Sequence, residues 1–320
     1  MEERLLALLK LAMAYNATDI HFYMVYQEVR IQMRINGDLR DVRTKYEDYK
    51  LIRYLQYLAN LDVGNLSIPQ TGQFEMEVDD TLLSLRFAVI NNLNYTNGVL
   101  RILNQNLKVN ANNLSHVVSQ NRYFQSLLKK DCGLIIFSGP TGSGKTTTLY
   151  SLLKSVKNKK IYTIEDPIEV YNDNMIQVEV NEPAGIDYET GVAQILRHDP
   201  DIIMIGEIRD AKAAKMAVVA ANTGHLVLTT LHASHAYSCI SRMIDLGVNE
   251  EHLYENLLCV SNQRMLIDKN TKEKVVLYEI MPRQEIDYYK SNKMNSIGFD
   301  NIEMQVARGI DNGVFEKDIL

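Results

Sequence analysis

Cysteine is scarce: Cys132, Cys239 and Cys259 are the three in 320 residues. They are too few, too scattered and odd in number for a disulfide framework, and they read as reduced thiols. Basic residues are outnumbered, with 34 Lys and Arg against 40 Asp and Glu, for a net charge of −6. A protein whose main task is gripping nucleic acid wants the opposite sign, so no direct nucleic-acid binding is expected. No apolar run approaches the roughly 20 residues of a membrane span. The start, MEERLLALLK, is acidic and then amphipathic, unlike a signal peptide. Membrane work is therefore expected only through a partner. Internal repeats and low-complexity tracts are lacking too. What is present is ordinary for a globular chain, 46% hydrophobic and 23% charged, and long enough for two domains.

One stretch carries chemistry on its face. Gly139-Pro140-Thr141-Gly142-Ser143-Gly144-Lys145-Thr146, followed by Thr147, fits the phosphate-loop pattern G-x-x-x-x-G-K-[ST]. Glycines allow consecutive N–H groups to point at one anion. Lys145 can reach terminal phosphates, and the Thr146 hydroxyl can hold Mg2+. The context agrees. Leu134 to Phe137 is a short apolar run, as in a buried parallel strand. Leu149, Leu152, Leu153 and Val156 mark one face of a helix whose positive end meets the loop.

Three further constellations follow. The β-branched run Ile161-Tyr162-Thr163-Ile164 delivers Glu165 and Asp166 at its end, where an open α/β sheet binds ligands. Either acid could polarise a water for attack on a γ-phosphate, or the run could simply end in a solvated acidic turn. Ile202 to Ile205 is a second buried strand, with Glu207 just beyond it, placed for a Mg2+ shell or its waters. A third strand, Leu226 to Leu231, lies between His225 and His232. Such histidines can sense a γ-phosphate, or they can be satisfied core or surface residues. His232, His235 and Cys239 have a zinc-like spacing, but no fourth ligand is apparent and no zinc is expected.

Before the loop, the pattern predicts a helix around Leu5 to Met13, a half-buried strand Val29 to Ile35, a hairpin turn at Asn36-Gly37, a helix from Tyr49 to Leu61, and strands at Phe74 to Val78 and Leu83 to Val89. These make a small α+β domain, residues 1–103, with Arg86 and Arg101 in or beside its strands. The Asn-rich stretch 104–113 reads as a linker. The second domain is 114–320, with a mostly helical part from about 234. There the pattern suggests helices Tyr237 to Leu246 and Glu250 to Gln263, a strand pair around Val275 to Met281, and a helix from Ile286.

GPTGSGKTTTLY, YTIEDPIE, LRHDPDIIMIGEIRD and TGHLVLTTLHA, in that order, resemble the secretion ATPases of type II secretion and type IV pili. ATDIHFYMVYQEVRIQMRINGDLR and the segment holding Arg86 and Arg101, fifteen residues apart, extend the resemblance upstream, and SNQRML and LYEIMP extend it downstream. The resemblance implies an α/β RecA-like P-loop ATPase domain, a smaller PAS-like α+β N-terminal domain, and a homo-hexameric ring. It implies ATP and Mg2+ as cofactors, with Lys145 and Thr146 on phosphate and metal, Glu165 as the water-activating base, and Glu207 positioning metal or water. By the same resemblance His225 and His232 are the histidine-box positions, Arg86 and Arg101 serve the phosphates, and Arg197 and Arg209 match arginines of open role. The expected partner is a polytopic inner-membrane platform protein, and the expected location is the cytoplasmic face of the membrane. After the QRML segment comes only Asp268-Lys269-Asn270-Thr271-Lys272, where many relatives carry a four-cysteine zinc module. The short, zinc-free pattern is similar to the competence-pilus branch; pilus retraction and type II protein secretion are the alternatives.

Overall fold

Alternation of apolar and polar residues builds the first unit. In this computed structural model, residues 27, 36, 65–67, 93, 94, 104–109 and 317–320 lie outside the description. The chain divides into two units, Met1–Asn106 with Glu169–Tyr171, and Leu107–Ile168 with Asn172–Leu320.

The first unit runs α1 (Glu2–Ala14), β1 (Asp19–Val25), β2 (Glu28–Ile35), β3 (Asp38–Val42), α2 (Tyr49–Leu58), β4 (Gln70–Val78), β5 (Thr81–Asn91) and β6 (Tyr95–Ile102). Its six strands are antiparallel, in the order β3-β2-β1-β6-β5-β4. Ile31, Met33 and Ile35 of β2 are buried while Arg30, Gln32 and Arg34 are not, as a sheet with one packed face requires. Leu5, Leu8 and Leu9 of α1 and Leu51, Ile52 and Leu55 of α2 cover that face over Phe22 and Phe87. Asn36 of the expected hairpin turn lies outside the described residues. Helix α2 stops short of Leu61 because Asn60 takes a left-handed conformation, φ 53°, which ends an α-helix. Strands β1 and β6 were not legible from alternation alone.

The second unit runs α3 (Val118–Leu127), β7 (Gly133–Ser138), α4 (Lys145–Lys154), β8 (Ile161–Glu165), β9 (Ile176–Glu179), α5 (Tyr188–Ile195), β10 (Ile202–Ile208), α6 (Ala211–Asn222), β11 (Leu226–Leu231), α7 (Ala236–Asp245), α8 (Glu250–Asn256), β12 (Leu257–Ile267), β13 (Lys274–Pro282), α9 (Arg283–Asn292) and α10 (Ile302–Asp311). Seven strands form one sheet in the order β13-β12-β7-β11-β10-β8-β9. All neighbours are parallel except β13, which runs antiparallel to β12. Every residue of β7, β8 and β11 is buried, as expected for strands with helices on both faces. Because β7, β8, β10 and β11 are parallel, Ser138, Glu165, Ile208 and Leu231 end on one edge of the sheet. That edge is where open α/β sheets bind ligands.

The expected helix Glu250 to Gln263 is corrected. Helix α8 ends at Asn256, and Leu257–Ile267 is a strand that pairs with β7 on one side and β13 on the other. The expected pair around Val275 to Met281 is therefore one strand, β13, whose partner lies upstream, and the part beyond residue 234 adds two strands to the sheet beside helices α7 to α10. A short apolar run such as Leu257-Leu258-Cys259-Val260 has no period that separates helix from strand, and the open flank of β7 decides the matter.

Candidate active site

The phosphate loop is a tight arch between β7 and α4. Gly139 has φ 141°, and a Cβ there would stand 2.3 Å from the Gln263 carbonyl oxygen and 2.8 Å from Ser143 Oγ. Glycine is thus required at Gly139 by conformation and by space. Gly144, φ 88°, is the N-cap of α4, so the free N–H groups of the first helical turn face the loop. Lys145 Nζ donates to the carbonyls of Gly139 (2.9 Å) and Pro140 (3.1 Å), folded back across the arch. Ser143 Oγ is enclosed without a hydrogen-bond partner among the described residues, a donor available to an anion. Thr146 is the second residue of α4. A glycine cradle, a lysine, a hydroxyl and a helix N-terminus fit a polyphosphate carrying a hard divalent cation.

The arch is buttressed from β12. Gln263 Nε2 donates to the Ser143 carbonyl (2.6 Å), and Asn262 Nδ2 donates to Ser138 Oγ (2.9 Å) and to the Ala233 carbonyl (2.9 Å). Both side chains are fully buried. Sequence reasoning did not assign them this role. The available signal was a polar stretch, Ser261-Asn262-Gln263-Arg264, between the apolar Leu257 to Val260 and Met265 to Ile267.

Glu165 ends β8 with only 3% of its surface exposed. Tyr150 OH lies 2.7 Å from both carboxylate oxygens, Thr163 Oγ1 donates at 2.6 Å, and Gln177 Nε2 donates at 3.3 Å. Gln177 also donates to Tyr150 OH at 2.8 Å. These donors satisfy a buried carboxylate, whose isolation would be costly. In this conformation they compete for lone pairs that a general base would use, most of all on Oε1. Tyr150, Thr163 and Gln177 are a set that the sequence alone did not single out.

Glu207, 21% exposed at its side chain, is in a different network. It is ion-paired with Arg209, whose other guanidinium nitrogen reaches Asp166 at 3.2 Å, and His232 Nε2 stands 3.6 Å from its second oxygen. The bond to Glu207 raises the Arg209 pKa further above its ordinary value. Burial, with Asp166 and Glu207 adding to it, raises that of Tyr188. Gly206 lets this strand approach its neighbour, since a Cβ there would stand 3.2 Å from Glu165 Cγ. So Glu165, Asp166, Glu207, Arg209 and His232 share the edge that carries the loop.

His225 does not join them. It precedes β11, at the end opposite His232, and its Nδ1 lies 3.1 Å from Thr223 Oγ1 and 3.2 Å from the Ala220 carbonyl. The intervening strand of six residues is roughly 17 to 20 Å long. His232, His235 and Cys239 do not converge either. Cys239 Sγ meets the carbonyl of His235, not its ring, and burial raises the thiol pKa to about 12. Arg86 and Arg101 belong to the first unit, where they are register partners on β5 and β6.

A phosphate loop between a buried parallel strand and a helix, with acids at the ends of adjacent strands, defines a RecA-like P-loop ATPase of mixed α/β fold. The chain belongs to the family "Type II/IV secretion system protein", whose profile matches residues 1–309. It is 39% identical to the competence protein ComGA of Bacillus subtilis (strain 168) over 256 residues, covering 78% of this chain and 72% of that one. It is 34% identical over 265 residues to the type II secretion system protein E of Pseudomonas aeruginosa, covering 81% of this chain but 53% of that protein, about half its length. In structure it is similar to the pilus retraction motor PilT with bound ADP, TM-score 0.74 at 26% identity, over 98% of this chain and 94% of that one. The chain is thus an ATPase of the secretion and pilus class that uses nucleotide. Among the described residues no helix is long and apolar enough to cross a membrane.

Proposed function

We propose that this chain is the cytoplasmic motor that powers assembly of a type IV-like competence pseudopilus for DNA uptake. The observation that carries the reading is the 39% identity to a competence protein over most of both chains. Consistent with it, no cysteine follows Cys259, so the chain lacks a four-cysteine module beyond β12.

In this reading residues 1–103 form a PAS-like domain, 104–113 a linker and the remainder the ATPase domain. Six copies form a ring at the cytoplasmic face of the membrane and pass work to a polytopic platform protein. Gly139 to Thr147 hold the nucleotide. Lys145, now donating to two loop carbonyls, would exchange them for phosphate oxygens. Mg2+ would be held by Thr146 and, through water, by Glu207, and it would neutralise charge on the phosphates. Glu165 orients the attacking water once Tyr150, Thr163 and Gln177 yield a lone pair. Arg209 and His232 hold Glu207. We assign Arg86 and Arg101 to charge developing on the phosphates, on the strength of the resemblance alone.

The test is uptake of labelled DNA by source cells carrying Lys145→Ala at the native locus, with protein level checked. The reading expects uptake to vanish while protein persists. Normal uptake would contradict it, and loss of twitching or of protein secretion instead would point to retraction or type II secretion.

A further inference from the structure

A second group of ligating side chains lies beyond the nucleotide edge. His235 is the N-cap of α7, Glu279 lies in β13, and Glu303 lies in the first turn of α10. One ligand atom from each falls within 4.8 Å of the others. His235 Nδ1 stands 3.9 Å from Glu279 Oε2 and 3.8 Å from Glu303 Oε1. These separations are too long for hydrogen bonds. They are a few tenths of an ångström wider than the ~3.4 Å between ligands at ~2.1 Å on a tetrahedral centre.

Charge and hydrogen bonding both leave the cluster incomplete. Glu279 is fully buried and accepts from the backbone N–H groups of Ala236 (2.6 Å) and Ile302 (3.2 Å). Those bonds orient its carboxylate and leave lone pairs over. Glu303 brings a second carboxylate to the same imidazole, and its Oε2 is enclosed without a hydrogen-bond partner among the described residues. The His235 ring is fixed by stacking on Tyr237, with centroids 5.0 Å apart and planes 7° off parallel. His235 and Tyr237 also border a cavity of about 280 Å3 with Asn295 and Asn301, and Asn295 Oδ1 is a further enclosed oxygen without a partner. His235 is the cluster member that borders this cavity, whose lining also includes Lys293.

We propose that His235, Glu279 and Glu303 form a structural site for a divalent transition-metal cation that accepts mixed imidazole and carboxylate ligands, such as Zn2+ or Mn2+. One imidazole and two carboxylates from three elements suit such ions. The cation balances two carboxylates, one of them buried, and ties the start of α7, three residues from His232, to β13 and α10. It takes no part in hydrolysis.

The experiment is calorimetric titration of the full chain, chelator-treated and nucleotide-free, with Zn2+ and separately with Mn2+. His235→Asn and Glu303→Gln are compared with the wild type, and Co2+ absorption reports imidazole ligation. Asparagine is a good N-cap, so His235→Asn keeps α7 capped. The expected result is one saturable site in the wild type, weakened in each variant by at least the tenfold or so that loss of a mere outer-shell partner costs. Circular dichroism and thermal midpoints of the metal-free variants should match the wild type. Absence of saturable binding in the wild type would overturn the proposal. So would unchanged affinity in both variants, or loss of the site on His232→Ala, which would place the cation at Glu207.

Discussion

Arg86 on β5 and Arg101 on β6 stand directly opposite one another in antiparallel register. Like charges so placed cost stability, of the order of 0.2 to 1 kcal/mol. Asp19 offsets part of this, accepting from Arg101 Nε at 2.7 Å. Arg86→Gln is therefore expected to raise the urea midpoint slightly while lowering ATP turnover. A variant that is less stable, or equally active, would remove the functional reason for pairing two arginines.

Tyr150 carries a hydroxyl shared by both oxygens of a buried Glu165. Hydrogen bonds to charged groups contribute roughly 1.5 to 3 kcal/mol. Tyr150→Phe should lose about that much stability in urea unfolding. An unchanged midpoint would show that the hydroxyl is not a main tether of the carboxylate.

Two glycines of the loop separate strain from crowding. Gly142 has φ 81° with nothing within 4 Å of an added Cβ, whereas Gly139 has φ 141° with a carbonyl oxygen at 2.3 Å. Gly142→Ala should cost about 1 to 2 kcal/mol from conformation alone. Gly139→Ala should cost a further 1 to 3 kcal/mol from overpacking against β12 and should weaken nucleotide binding more. Denaturation and fluorescent-nucleotide titration read the two effects.

Glu279 supplies a pH test. Burial raises its pKa above the ordinary glutamate value, while the N–H groups of Ala236 and Ile302 and the charge of His235 lower it, and Glu303 raises it. A carboxyl raised in the folded state contributes stability below its unfolded pKa, about 4.3, and loses it as pH rises through the folded value. In chelator, the wild type should therefore gain on Glu279→Gln as pH falls toward about 4.3. A pH-independent difference between the two midpoints would contradict this.

What was legible in the sequence was what is local. The loop motif, its strand and its helix lie within Leu134 to Val156, and the strand-end acids follow their own apolar runs. What was not legible depends on distant partners. Gln263 supports a carbonyl 120 positions away, and Asn262 supports a hydroxyl 124 positions away. β12 read as helix because its second neighbour, β13, and its place beside β7 are tertiary facts. His225 and His232 look symmetrical around β11 in sequence, yet a strand carries its two ends to opposite edges of a sheet. The opposition of Arg86 and Arg101 follows from hairpin register, which a spacing of fifteen alone does not reveal.

ATP hydrolysis is assigned to the loop at Lys145 and the carboxylate of Glu165. The measurement is steady-state ATP turnover with Mg2+, comparing wild type, Lys145→Ala and Glu165→Gln, with nucleotide affinity measured alongside. The expected result is turnover in the wild type, loss of both binding and turnover in Lys145→Ala, and retained binding with turnover lost in Glu165→Gln. Wild-type turnover in Glu165→Gln would contradict the assignment of the base, and wild-type turnover in Lys145→Ala would contradict the site itself.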